Sequence, residues 1–235
     1  MLETELCVSS IEALHIANKY PFDRIELCQS LEIGGLTPSI GFIDFASKIS
    51  NIELHILIRQ RAGGFVYSSD ELELMLNEIY NLKNKGLNGF VIGAINSNLE
   101  LNVSWLKEAI QISSKHHFTF HRAFDDLQIW DQALETLIEL GFKRILSSGK
   151  EKSVKEGASV LSKMKKQARG RIQIMCGGGI NASNILEICE EIKPDAVHFS
   201  ATEKKTISTN SIFSTDALII QEENVKQIFN QLNKL

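Results

Sequence analysis

Glu5-Leu6-Cys7 and Glu26-Leu27-Cys28 are one tripeptide met twice, and each copy closes a short strand-like run followed by turn residues and a helical pattern. Side chains alternate along a strand, so each Glu shares a face with its Cys while the Leu takes the other. If helices cover the leucine face, Glu5, Cys7, Glu26 and Cys28 all point away from them. Taking carboxylates out of water is costly. The pattern therefore marks a candidate site, and the rest of the chain must show what encloses it.

Strand-like runs recur near Glu3 to Cys7, Arg24 to Cys28, Glu53 to Arg59, Gly89 to Gly93, His117 to His121, Arg144 to Ser148, Arg171 to Cys176 and Ala196 to Ser200. Helical periodicity fills the intervals. Ser68 with Glu71 reads as a capping box, Leu72, Leu76, Ile79 and Leu82 as an apolar stripe, and Gly86 as the stop. A second helix is expected from Asp125 or Asp126 through Trp130, Leu134, Leu137 and Ile138 to Gly141, and a third from a Ser183 cap to Pro194. Alternating β/α units imply a parallel sheet with helical crossovers. Either a closed (β/α)8 barrel or an open doubly wound sheet satisfies this. The count of eight, and the lack of Gly-x-Gly-x-x-Gly after the first strand, favour a single-domain α/β TIM-type barrel over residues 1–235. The polar insertion at about 201–215 is expected to be a mobile loop, and after that a lid.

The bulk properties narrow the function. With 235 residues, a net charge of -4 and no apolar run near the ~20 residues of a membrane span, neither a nucleic acid nor a membrane is an expected partner. The chain opens directly on a strand-like segment, so no signal peptide is expected, and four irregularly spaced cysteines suit a reducing, cytoplasmic setting.

Running the alternation test on every strand gives an inward set of Glu5, Cys7, Glu26, Cys28, His55, Arg59, Thr119, His121, His198 and Ser200. Barrel interiors are ordinarily branched aliphatic, and catalytic groups gather at the C-terminal strand ends. Glu5, Glu26, Arg59 and His121 are the candidate catalytic residues. The competing reading is a satisfied ion network without chemistry. Cys7 and Cys28 are candidate soft-metal ligands, although buried free cysteines also serve as small hydrophobes. Cys176 is read as facing the same site, and Cys189 as core.

Gly177, Gly178 and Gly179 follow the seventh strand, where barrels place phosphate on backbone N–H groups and a helix N-terminus. Ser200 borders this anion corner, with Ser147, Ser148 and Gly149. Arg59, Arg61 and Arg122 are expected to supply positive charge at the rim. His121 is a candidate general acid or base. Asp125 is read as a helix cap rather than as its orienting partner, and His116 and His117 as surface or packing residues.

These motifs resemble the CutC copper-homeostasis family. The likeness rests on Glu5-Leu6-Cys7-Val8, Asp23-Arg24-Ile25-Glu26-Leu27-Cys28, Gly34-Gly35-Leu36-Thr37-Pro38-Ser39, Thr119-Phe120-His121-Arg122-Ala123-Phe124-Asp125, Ala133 to Leu137, Ser148-Gly149 and Gly177-Gly178-Gly179. The resemblance implies a (β/α)8 barrel, a cytoplasmic homo-oligomer, and copper ligands at Cys7 and Cys28. The chain departs from the family at Arg59 to Phe65, where an acidic residue is missing, at Cys176, at Gly93 to Ser97 and after Ser200. Two functions follow. One is Cu(I) handling on Cys7 and Cys28. The other is an enzyme on a small phosphorylated or carboxylated metabolite, held at the glycine corner and worked on by Glu26 and His121. No organic cofactor is expected.

Overall fold

Eight parallel strands close into a barrel in sequence order in the computed structural model, which describes residues 2–207, 212 and 214–235. They are β1 (Glu3–Val8), β2 (Arg24–Leu27), β3 (Glu53–Leu57), β4 (Gly89–Ile92), β5 (His117–Phe120), β6 (Arg144–Ser147), β7 (Gln173–Gly177) and β8 (Ala196–Phe199). β8 pairs back onto β1 and completes the ring. The crossover helices are α1 (Ile11–Ala17), α2 (Ile40–Ile49), α3 (Ser69–Leu82), α4 (Val103–Ile112), α5 (Trp130–Glu139), α6 (Val154–Ala168), α7 (Ile185–Ile192) and α8 (Glu222–Leu232). Leu6, Ile25, Leu27, Ile56, Phe90, Phe118, Ile145 and Val197 face these helices in one continuous apolar core. The capping box of Ser68 and Glu71 starts α3, and a second, of Ser153 and Glu156, starts α6.

Three local expectations are corrected. The segment from Arg122 to Asp126 is a 3-10 turn, and α5 starts only at Trp130. Asp125 is therefore no α-helix cap. Its carboxylate accepts from Ser147 Oγ, Ser148 N–H and Oγ, Lys150 N–H and Arg122 Nε, and so ties the loop after β6 to the turn after β5. At α7 the cap position is Asn184, while Ser183 donates to Asn181. The insertion expected as a loop at 201–215 contains β9 (Thr202–Ile207) and runs into β10 (Thr215–Ile220), the two paired antiparallel outside the barrel. Its residues 208–211 and 213 lie outside the described set.

Close backbone approach fixes the β6–α6 connection. A β-carbon on Gly157 would collide with the Ser148 carbonyl, and one on Gly149 (φ +78) would collide with the Gly157 carbonyl. Only glycine permits this contact, and it holds the Ser148–Gly149 loop against the barrel rim.

Candidate functional site

The register turns one face of every strand into the lumen, where polar side chains mix with a few apolar ones such as Leu57, Val91, Leu146 and Met175. Glu5 pairs in register with Arg24 and His198, Cys7 with Glu26, Glu26 with His55, and Thr119 with Arg144. The middle of the barrel is an ion network. Glu5 is fully buried, with Oε1 2.7 Å from His198 Nδ1 and Oε2 3.6 Å from Arg24 Nε. Arg144, also fully buried, meets Glu3 and Gln173. Burial alone would push the Glu5 carboxyl up, but the His198 hydrogen bond and the charges of His198, Arg24 and Arg144 outweigh it and hold the pKa well below the usual carboxylate range.

Above this network a cavity of about 640 Å³ opens at the C-terminal strand ends. Cys7, Glu26, Arg59, His121, His198, Gly177, Gly178, Gly179 and Ser200 all line it. Burial raises the Glu26 carboxyl to about 7, with the nearby Glu5 charge adding to it and His198 opposing it. Two carboxyls on neighbouring strands, two residues apart in register, are thus held in opposite states, Glu5 ionised and Glu26 poised near neutrality. This divergence is what acid–base sites use. Burial opposes an imidazolium at His198, but Glu26 and Glu5 together raise its pKa.

His121 is neutral. Burial and the Arg59 charge push its pKa down to about 3. Its Nδ1 accepts the Ala123 N–H at 3.1 Å, so the proton of the neutral ring sits on Nε2. That Nε2 is buried and has no hydrogen-bond partner among the described residues, on a ring that lines the cavity. Gly93 makes room for the ring, since a β-carbon there would collide with it, and Phe65 packs against it at 4.7 Å. His121 is therefore placed as a hydrogen-bond donor to a ligand.

The glycine corner is set up by its carbonyls. Gly178 O accepts from Val154 N–H, and Gly179 O accepts from the Asn181 and Asn184 side chains. Gly178 (φ +127) and Gly179 (φ +78) adopt backbone that favours glycine. With the carbonyls engaged, the N–H groups of Gly178, Gly179 and Ile180 donate to no acceptor among the described residues. Arg122 stands beside them, with Nη1 3.4 Å from the position a Gly178 β-carbon would take.

The arginines divide. Arg59 lines the cavity, but its Nη atoms donate to the carbonyls of Ile33, Gly35 and Gly63, so it clamps two loops together. Arg61 does not line the cavity. It pairs with Glu71 at 2.5 Å, donates to Gly64 O and Val66 O, and stacks on Tyr67. The reason is that β3 ends at Leu57, so strand alternation no longer governs position 61. Arg122, a secondary candidate from sequence, holds the place foreseen for Arg61. Arg24 and Arg144 were missed, although the same alternation two residues before Glu26 and Leu146 would have found them.

Cys7 Sγ lies 3.5 Å from Cys28 Sγ and 3.8 Å from Glu26 Oε1. Cys28 is fully buried behind Cys7, and both pack on Leu57 and Val91. The hydrogen bond to Cys28, then burial, then the charges of Glu26 and Glu5 raise the Cys7 thiol well above its ordinary pKa. Cys7, Glu26 and His198 place one ligand atom each within 4.8 Å of the others. Cys176 is corrected: Met175 and Gly177 face the lumen, so Cys176 faces the helices as core.

The CutC family model matches residues 2–203. The family protein CutC of Glaesserella parasuis is 42% identical over 227 residues, covering 97% of this chain and 93% of that protein. The copper homeostasis protein cutC homolog of Caenorhabditis elegans is 37% identical over 213 residues, covering 90% and 85%. A crystal structure of CutC from Streptococcus agalactiae superposes with a TM-score of 0.80 at 30% identity, covering 84% of this chain and 98% of that one. No helix among the described residues is long and apolar enough to cross a membrane.

Proposed function

The chain belongs to the CutC family, and from that premise and the geometry of its mouth we propose that it binds a small phosphorylated or carboxylated metabolite and performs acid–base chemistry on it. One observation carries this reading. The N–H groups of Gly178, Gly179 and Ile180, without acceptors among the described residues, border a cavity of about 640 Å³ large enough for a metabolite. An anion seated there would meet three amides, Arg122 and the N-terminal side of α7. Glu26, with its pKa near 7, supplies or removes the proton. His121 Nε2–H donates to the oxygen on which charge develops. Arg59 and Phe65 hold His121 in place.

Phosphate, sulfate or a phosphorylated sugar is accordingly expected to raise the melting temperature by roughly 5–10 °C at a hundredfold excess over Kd. Gly178→Val, which puts a side chain against Ser148 and Arg122, and Arg122→Gln should each lose that rise. Anions that leave the wild-type melting temperature unchanged would remove the main support for this reading.

A second reading has its own observation, the 3.5 Å Sγ–Sγ contact of Cys7 and Cys28. Two soft sulfurs with Glu26 and His198 alongside are a donor set that fits Cu(I). Here the ion is cargo. Because the Cys7 thiol is held protonated, uptake must release a proton, and affinity should rise with pH. The reduced protein is expected to take Cu(I) from a competing chelator and the Cys7→Ser/Cys28→Ser variant to fail. Equal uptake by both rejects the thiol site and leaves the anion reading standing.

A further inference from the structure

The opposite mouth of the barrel, at the N-terminal strand ends, holds a second cluster that neither reading uses. Glu53 and His55 lie two residues apart on β3, and His117 opens β5. The three offer ligand atoms that all lie within 4.8 Å of one another. Their meeting depends on the strand between them. Register runs His55 to Gly89 on β4 and Gly89 to His117 on β5. A β-carbon on Gly89 would collide with the His55 ring and with the His117 carbonyl. Glycine there removes the side chain that would separate the two imidazoles, whose ring centroids are 6.2 Å apart.

His55 is fully buried, yet neither Nδ1 nor Nε2 has a hydrogen-bond partner among the described residues. Glu53 Oε2 stands 3.7 Å from Nε2, too far for a hydrogen bond. Buried polar groups are ordinarily satisfied, and a fully buried imidazole with two orphaned nitrogens calls for a ligand. Glu53 and His117 are exposed, which leaves the cluster open to ions from solvent. Two imidazoles and a carboxylate form a three-ligand set that suits a borderline divalent cation, with water in the fourth position.

We propose that Glu53, His55 and His117 form a binding site for a divalent cation of the zinc type at the N-terminal mouth of the barrel. The ion would clamp β3 to β5 across β4. The N-terminal end of such a barrel serves stability rather than chemistry, so the effect to look for is on melting.

The full chain, treated with a chelator and kept reduced, is melted with and without Zn²⁺. A rise of roughly 5–10 °C at a hundredfold excess over Kd is expected. His117→Ala and Glu53→Gln alter exposed residues and should fold, yet each should lose the rise. Cys7→Ser/Cys28→Ser should keep it, since those thiols lie at the other mouth. Co²⁺ gives an independent readout. The site should show d–d bands without a thiolate charge-transfer band, and His117→Ala should abolish them. No Zn²⁺-dependent rise in the wild type, an undiminished rise in both single variants, or a rise carried entirely by Cys7 and Cys28 would each overturn the proposal.

Discussion

Glu5→Ala is expected to lower the unfolding free energy by about 3–5 kcal/mol, the usual result of removing one partner from a buried ion pair. Against a total of ~5–15 kcal/mol for a domain, that is about a fifth of the stability at the least. The cost falls mainly on Arg24. Its guanidinium is buried, cannot shed its proton, and would keep only Thr119 Oγ1 at 3.4 Å as a hydrogen-bond partner among the described residues. His198 escapes the same fate, because Glu5 is among the groups that raise its pKa, and without Glu5 it can become neutral. The double variant Glu5→Ala/Arg24→Met should therefore recover part of the loss, because an apolar stem of similar volume leaves no orphaned charge. Urea unfolding of both variants measures this. A single-variant loss below ~1 kcal/mol, or strictly additive losses in the double variant, would mean the network does not hold the barrel together.

The inward network was legible because period two is strict inside a strand. With Glu5 and Glu26 in the lumen, His121 and His198 follow by the same count; register joins Glu5, Glu26 and His198, and His121 lines the same cavity as Glu26 and His198. The same strictness explains the errors. Counting from the sequence puts Cys176 in the lumen, but Gly177 faces it, and a shift of one residue exchanges faces. Arg61 was grouped with Arg59 by proximity in sequence, yet both lie beyond the last residue of β3, where side-chain direction depends on loop carbonyls and on Glu71. Thr202 to Ile207 carries no apolar alternation, because most of that strand is exposed on both faces, and so it read as loop. Asp125 departs from a cap role for a different reason. Its partners Ser147, Ser148 and Lys150 come from the next β/α unit, and no local pattern announces a contact of that kind.

Acid should destabilise this protein before its ordinary carboxylates titrate. His121 is pushed to about 3 and His55 to about 4, in both cases first by burial. In the unfolded chain each titrates near ~6.5. Below that value the unfolded state binds more protons, so stability falls as pH falls, and continues to fall until the folded pKa values are reached. Glu26 acts in the opposite direction. Its folded pKa of about 7 lies above its unfolded value of 4.5, so the folded state binds the extra proton between them and gains stability as pH falls through that window. The half-buried His116 leans the way of His121, and Glu78 the way of Glu26. Two fully buried histidines against one carboxyl leave a net loss between pH 6.5 and 4.5 on the order of 1.4 kcal/mol per pH unit. The slope should steepen just below 4.5, where Glu26 no longer compensates and Glu5 in the unfolded chain takes up a proton that the folded carboxyl, held at about 2, does not. Glu26→Gln removes the opposing contribution, so the variant should lose stability more steeply than the wild type between pH 6.5 and 4.5. Urea unfolding at half-unit pH intervals tests both slopes. A variant whose stability stays level across that range would show that His121 is not held neutral, and would take from the cavity the hydrogen-bond donor on which its chemistry depends.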